Sequence, residues 1–443
     1  NVKQKQLLIT SFIVLVAFLI RLYRLDIPHE WSFDEVYHAL SAEAYALNDP
    51  RGYEWWHAGP KDLAYEWLHP PLGKLFMAAS IKLFAKPYIP ESKAQPLDGA
   101  TTFAWRFPGT VFAALTVFLL IRFGTKLFNN FWVGAIAGGL YALDGLSFVQ
   151  SRTGMNDIYV TFFVVLTFYR LYIFIQDYSS SDPPTGGESR SNFKVSSRQA
   201  RTIKNLFFLG IASGLATATK WSGFYAVGIV FVLGVVYVLK KKDWVIFAYT
   251  VLFLGLIPPL VYVLSYGQWW LQGHTVKQFY ELHQQTWWYQ TGLKATHGYQ
   301  SQALTWPVLY RPVWYWVTYK DVVKDGVKTL NIGNIYAMGN PLIWWVGIGG
   351  IVFLILQFVL SVWGKIEGFR QKENLLPIFI LLVGYFGMFL PWAFSPRIMF
   401  IYHYLPSVPF LCLALAYGLG KIREIRGIWG IKGSYVVTAY LSV

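Results

Sequence analysis

The chain has 443 residues, of which 55 % are hydrophobic, 19 % aromatic and only 14 % charged, and its mean hydropathy is +0.39. So few charges cannot clothe a globular surface in water, which excludes a soluble domain and points to a polytopic membrane protein. The formal charge of +15 is explained by basic loops on one side of a membrane, leaving no call for nucleic acid as a partner.

Apolar runs of about 15 to 22 residues recur along the chain, the length that crosses a hydrocarbon core of roughly 30 Å as helix. The first, residues 7–20, continues into Arg21-Leu22-Tyr23-Arg24 without a small-residue cleavage site, so it reads as a retained span and not a signal peptide. With Lys3 and Lys5 cytoplasmic, this span delivers Phe33-Asp34-Glu35-Val36-Tyr37-His38 to the far face. Residues 37–68 read as an outer loop with short helices. In residues 73–86, Lys74, Lys82 and Lys86 share one arc of a helical wheel and Phe76, Met77, Ile81, Leu83 and Phe84 the other, which suits a helix lying in the interface.

Further spans are expected at 107–121, 131–143, 158–175, 206–219, 223–239, 244–265, 341–363, 375–390 and 401–419, with an eleventh starting at 435 and cut short. The absent initiator Met and this interrupted run point to a sequence incomplete at both ends. Every short basic cluster then falls on the cytoplasmic side: Arg122 and Lys126; the Ser, Pro and Gly-rich linker 176–205 with Arg190, Lys194, Arg198, Arg201 and Lys204; Lys240 to Lys242; Lys365, Arg370 and Lys372; and Lys421, Arg423 and Arg426. Making 73–86 a span would reverse all of them.

The fold class expected is therefore an all-α polytopic membrane protein of about eleven transmembrane helices, with juxtamembrane helices and an extracytoplasmic loop cap. It divides into a transmembrane module 1–265 containing the first outer loop 21–106, the loop 266–340, and C-terminal helices 341–443. The loop is dense in aromatics, including Trp269, Trp270, Trp287, Trp288, Tyr289, Trp306, Trp314 and Trp316, and reads both as a folded cap and as an aromatic cleft for sugar or peptide. Cys412, the single cysteine, lies in an apolar run and reads as a packing residue.

This topology brings Asp34, Glu35, His38, His69, Lys74, Asp144, Arg152, Asp157, Lys220, Arg397 and His403 to or near one face. Charges beside hydrocarbon are expensive and are kept for a partner or a task. Each alone has a plainer reading: Arg397 and Lys220 as snorkelling anchors, Asp157 as a helix cap. Neighbouring residues on a helix point about 100° apart, so Asp34 and Glu35 cannot form a close dyad; one faces a reaction centre and the other a structural cation. Asp34 and His38, one turn apart, would suit a metal, but no third ligand is identified, so a divalent cation has no support and no metal site is assigned. No internal repeat is visible, and the ionisable residues gather at one face instead of mid-bilayer, both of which count against a transporter or a non-enzymatic subunit.

Arg21, then Phe33-Asp34-Glu35-Val36, His69-Pro70-Pro71-Leu72-Gly73-Lys74, Arg106-Phe107-Pro108-Gly109, Asn156-Asp157, Thr219-Lys220-Trp221-Ser222-Gly223 and Tyr402-His403-Tyr404-Leu405-Pro406 follow one another along nearly the whole chain. Together they resemble the protein O-mannosyltransferases, glycosyltransferase family 39 of the type C superfamily. The resemblance implies transfer of mannose from a polyprenyl-phosphate mannose to Ser or Thr hydroxyls of a protein or peptide acceptor, with inversion, on the extracytoplasmic face. It implies Asp34 as the base; should Asp34 prove dispensable, the assignment passes to Asp157. Arg21, Glu35 and Arg106 match positions tied to activity or to folding of the site, Arg21 being the cation expected for Glu35. His69 and Tyr404 belong to the motifs counted as substrate-binding. The loop 266–340 is too short for the β-trefoil domain of eukaryotic members, so a bacterial-type member of the plasma membrane is favoured, and the acceptor is less defined. A related type C transferase that moves another sugar to a lipid or glycan is the competing enzyme reading.

The chemistry fits on its own terms. An acceptor hydroxyl needs a carboxylate to take its proton, an effect worth roughly 10²- to 10⁴-fold. The phosphate leaving group needs cations and no general acid, a role open to Lys220, Arg397, His403 or Lys74. The isoprenoid tail explains the membrane location, since it stays in lipid while the head group reaches the site.

Overall fold

The computed structural model describes residues 2–179, 197–324, 327–363, 375–424 and 433–442, without the side chains of 198 and 320–327. Most of the linker 176–205, with Arg190 and Lys194, lies outside the described residues, as do Lys365, Arg370, Lys372 and Arg426.

Among the described residues, eight helices are long and apolar enough to cross a membrane. They begin with α1 (Val2–Leu22). Then α2 (Glu35–Leu47) and α3 (Leu72–Phe84) form the first loop, before the 30-residue α4 (Gly99–Phe128). Next come α5 (Phe131–Leu143) and α6 (Gly145–Ser151), which meet at a 63° bend and make a ninth span when taken as one. The chain continues through α7 (Asp157–Ser179), α8 (Ser197–Thr219), α9 (Gly223–Lys241) and α10 (Trp244–Ser265). After the long loop come α13 (Pro341–Trp363), α14 (Leu376–Phe389), α15 (Val408–Glu424) and α16 (Gly433–Leu441).

Length and composition therefore pick out eight or nine of the eleven expected spans among the described residues. The predicted fifth span lies in α8, whose first two turns carry Arg198, Arg201 and Lys204 and dilute its apolar length. The predicted eleventh is α16, whose nine residues reach only about 14 Å. The expected interfacial helix is α3; its 13 residues cover about 20 Å, too short to span.

The all-α expectation also needs correction. The loop 266–340 contains α11 (Gly267–Leu271) and α12 (Val276–Gly292), but its second half is an antiparallel hairpin, β1 (Val313–Lys324) with β2 (Val327–Ala337). The pairing runs from Val313 opposite Ala337 to Lys324 opposite Val327, with one irregularity between Trp314 and Trp316. The sequence Val313-Trp314-Tyr315-Trp316-Val317-Thr318 is rich in the β-branched and aromatic side chains that suit a pleated, half-covered surface. Tyr315 points inward and is buried, and its ring stacks on Phe33 with centroids 4.4 Å apart. The cap is thereby seated on the first loop.

Close helix contacts hold the bundle in register. A Cβ on Gly134 of α5 would lie 2.2 Å from the Ile121 carbonyl of α4, so those helices meet backbone to backbone only because the residue is glycine. A Cβ on Gly73 would lie 2.5 Å from Asn156 Oδ1, which fixes the start of α3 against the start of α7. Cys412 is buried in α15, as its apolar surroundings lead one to expect.

Candidate active site

The ends of α1, α4 and α7, with the start of α2, are tied by a buried ion pair. Glu35, the first residue of α2, accepts from Arg106 Nε and Nη2 at 2.8 Å each, from the Gly154 amide at 2.9 Å and from the Ser32 amide at 2.8 Å. Arg106 spends its remaining hydrogens on the carbonyls of Leu25, Asp26, Pro28 and Glu30. Both side chains are sealed from solvent, and every strong donor and acceptor is used, which is the condition under which a buried pair is tolerated. The expected partner of Glu35, Arg21, is elsewhere. It sits in the last turn of α1 facing α6, and donates to Ser151 Oγ and Ser147 Oγ at 3.0 Å each. The loop 25–35 curls around Arg106, so Arg106 reaches Glu35 first.

That knot turns Asp34 the other way. Asp34 precedes α2 as its N-cap residue, but its carboxylate caps no amide and has no hydrogen-bond or ion-pair partner among the described residues. Phe33 before it has φ of +47°, a left-handed conformation unusual for a large side chain, held by the stack on Tyr315 and by its amide donating to the Tyr315 carbonyl at 3.0 Å.

Three other elements converge on Asp34. Asp157 opens α7 and accepts from Lys220 Nζ, at the end of α8, at 2.7 Å; the same ammonium lies 5.5 Å over the Tyr402 ring. From the loop before α3, Glu66 accepts from Lys74 Nζ at 2.5 Å and from the His69 amide at 2.9 Å, with His38 Nδ1 at 3.5 Å. His38 also faces Asn156 at 3.4 Å and stacks near His69, ring centroids 5.8 Å apart. Arg397, half-buried before the 3₁₀ turn Ile401–Ser407, donates Nη1 to Gln290 of α12 and lines a cavity of about 860 Å³ formed with residues such as Lys294, His297 and Arg311.

Burial pushes the Asp34 carboxyl up to about 6, helped by the charges of Asp157 and Glu66 and opposed by His38 and Lys220. Burial also lowers His69 far below the ordinary histidine range, and Lys220, His38 and Arg397 push the same way, so its imidazole is neutral. Glu66 shows the opposite balance: burial would raise it, but the charge of Lys74 above all, with His38 beside it, holds it well below the usual carboxylate range. The local charges thus pair off as Glu35 with Arg106, Glu66 with Lys74 and Asp157 with Lys220. Among the described residues Asp34 and Arg397 are left, an acid without a base and a cation whose side chain bonds only to the neutral Gln290 and the carbonyl of Ile398.

His403 lies on the same side, its ring caged by Tyr402 at 4.6 Å and Trp392 at 4.3 Å, with Nδ1 3.0 Å from the Phe400 carbonyl. Tyr404 is turned into the core. It is fully buried, bonded to Tyr385 at 2.7 Å and packed on Trp344. Lys74 is likewise buried beneath Glu66 and does not face head groups. Arg21, Glu35, Lys74, Arg106 and Tyr404 are thus occupied within the protein, whereas Asp34, His69, Asp157, Lys220, Arg397 and His403 lie close enough to be linked through one another's charges. Glu66 joins them unforeseen, beside Tyr402 of the last motif and Tyr289 of the aromatic loop, the latter lying close enough to feel the charges of both Asp34 and Arg397. The clue to Glu66 was its place just ahead of His69-Pro70-Pro71. Among the described residues no three His, Cys, Asp or Glu side chains converge as metal ligands, so Asp34 and His38 gain no third.

These elements make a polytopic membrane protein with a charged site at one end of the bundle, where Asp34 is unpaired among the described residues and Lys220 and Arg397 lie nearby. The fold is that of the S. cerevisiae protein O-mannosyltransferase complex bound to its sugar donor, with a TM-score of 0.75 over 99 % of this chain and 88 % of that one, at 15 % identity. The family model described as dolichyl-phosphate-mannose-protein mannosyltransferase matches residues 61–267, and that of the C-terminal four-span region of protein O-mannosyltransferase matches 275–442. The chain belongs to the protein O-mannosyltransferase family. Among its relatives are the polyprenol-phosphate-mannose–protein mannosyltransferases of Mycobacterium tuberculosis, 26 % identical over 85 % of this chain and 75 % of that protein, and of Mycolicibacterium smegmatis, 28 % identical over 80 % and 71 %.

Proposed function

We propose that this chain transfers mannose from polyprenol-phosphate mannose to Ser or Thr hydroxyls of proteins, with Asp34 as the base. The observation that carries the reading is the Asp34 carboxylate, unpartnered, poised near 6, and surrounded by side chains whose own charges are already matched. A base at that pKa is ionised at neutral pH yet still holds a proton well enough to accept one in the transition state.

The acceptor O–H gives its proton to Asp34 as its oxygen bonds to C1 of mannose. The C1–O bond to phosphate breaks from the opposite side, its electron pair stays on the phosphate, and the anomeric centre inverts. Polyprenyl phosphate leaves with an added negative charge, and Asp34 returns the proton to water. Arg397 is the cation best able to receive that charge, because its present partners are neutral; Lys220 contributes while shared with Asp157. His69, held neutral, adds no charge and can serve as a hydrogen-bonding wall for sugar hydroxyls.

The charged site lies at the end of the bundle opposite Arg122, Lys126, Lys240 and Lys241, which supports an extracytoplasmic site in a bacterial-type plasma membrane. Counting α8 and α16 with the nine spans restores eleven, the number that keeps those clusters on one side. The test is incubation of the purified chain with polyprenyl-phosphate mannose and a Ser/Thr peptide. A mannosylated peptide and free polyprenyl phosphate in equal amounts are expected. Transfer of the sugar to lipid but never to peptide would contradict the reading.

A further inference from the structure

The end of the bundle remote from Asp34 carries a second concave feature, a cavity of about 750 Å³ between the N-terminal part of α1, the C-terminal parts of α4 and α7, and the start of α5. Its wall includes Leu7, Phe118 and Phe131, and its mouth Lys3, Arg122 and Lys126. Among the described residues no acidic side chain lines it. Leu7 is 65 % and Phe118 44 % exposed, so the groove opens sideways toward lipid.

Phe118, Arg122 and Lys126 recur every four residues and so share one face of α4. At 1.5 Å per residue they span about 12 Å, from an apolar contact to two cations one turn apart. Arg122 and Lys126 are exposed, and neither side chain has an ion-pair or hydrogen-bond partner among the described residues. Scattered snorkelling cations would satisfy the inside-positive bias without any cavity. Here they rim one, and its apolar wall continues along the same helix.

We infer that this groove binds an anionic phospholipid of the cytoplasmic leaflet. Its phosphate sits between Arg122 and Lys126 and an acyl chain lies along Phe118 and Leu7. Basic pockets between spans at this depth recognise lipid head groups because charge and apolar contact are met by one molecule. The site is separate from that around Asp34, at the other end of α4, and does not depend on the reaction assigned there.

Native mass spectrometry of the detergent-purified full chain with phosphatidylglycerol or phosphatidylcholine tests it. Phosphatidylglycerol should bind at least about tenfold more tightly. The double variant R122Q/K126Q should lose that preference, a fall of roughly tenfold or more for two surface cations. The variant K240Q/K241Q removes the same charge from exposed positions outside the groove and should keep the preference. Inorganic phosphate should not raise the melting temperature as the lipid does. Equal losses in both double variants, equal binding of the two lipids, or equal stabilisation by inorganic phosphate would each overturn the proposal.

Discussion

Asp34 and Glu35 are neighbours with opposite fates: the Glu35 carboxylate accepts four hydrogen bonds from Arg106, Gly154 and Ser32, and the Asp34 carboxylate accepts none from the described residues. One carboxylate is used to build the loop, and the other is left for chemistry by that construction.

Glu35→Gln should therefore act on the fold. It leaves the buried Arg106 guanidinium without its counter-charge, a loss of about 3 to 5 kcal/mol for a broken buried pair. A large fall in melting temperature or folded yield is expected in detergent. An E35Q protein as stable as wild type but slow would move Glu35 into the reaction.

Arg397 and Lys220 should separate by their readouts. Arg397→Ala removes a half-buried cation whose partners are neutral, so KM for the donor should rise at least about tenfold with little loss of stability. Lys220→Ala strands Asp157 in a buried setting and should lower both turnover and melting temperature. Unchanged donor KM in R397A would shift the phosphate to Lys220 or His403.

The pH dependence follows from Asp34. A base must be ionised, so kcat/KM should drop about tenfold per unit as pH falls below about 6 and stay level above it. The stability effect has the opposite sign. The folded pKa of about 6 exceeds the ordinary aspartate value of 3.8, so the folded state holds the proton more tightly, and stability is lost as pH rises through about 4 to about 6. Asp34→Asn should then melt higher than wild type at pH 8 and no higher at pH 4. A rate that is flat from pH 5 to 8 would remove Asp34 as the titrating base.

Tyr315 should matter although no chemistry is asked of it. Tyr315→Ala removes the stack under Phe33 and the bond from Gln150 Nε2 at 2.6 Å. Turnover should fall by about tenfold or more with donor affinity nearly kept, because the loop bearing Asp34 loses its support. Retention of full turnover would show that the cap does not position the base.

Much of this was legible in the sequence because it follows from solvent. Hydrophobic length and the side taken by Lys and Arg located the spans and gathered Asp34, Asp157, Lys220, Arg397 and His403 at one end. Pairing was not legible. Arg21 and Arg106 are equally plausible partners for Glu35 on paper, and only the path of residues 25–35 chooses between them. Lys74 reads as an interfacial cation on a helical wheel, because the wheel cannot display Glu66 arriving from the preceding loop. The hairpin was signalled by β-branched and aromatic residues in both 313–319 and 327–336, a pattern that the density of Trp and Tyr throughout the loop obscures.

The most direct test of Asp34 as base is turnover and donor affinity of a well-folded Asp34→Asn protein, which keeps the size of the side chain and removes its basicity. Turnover should fall by about two to four orders of magnitude while donor affinity stays within about a few-fold of wild type. Near-normal turnover would contradict the account and transfer the role of base to Asp157.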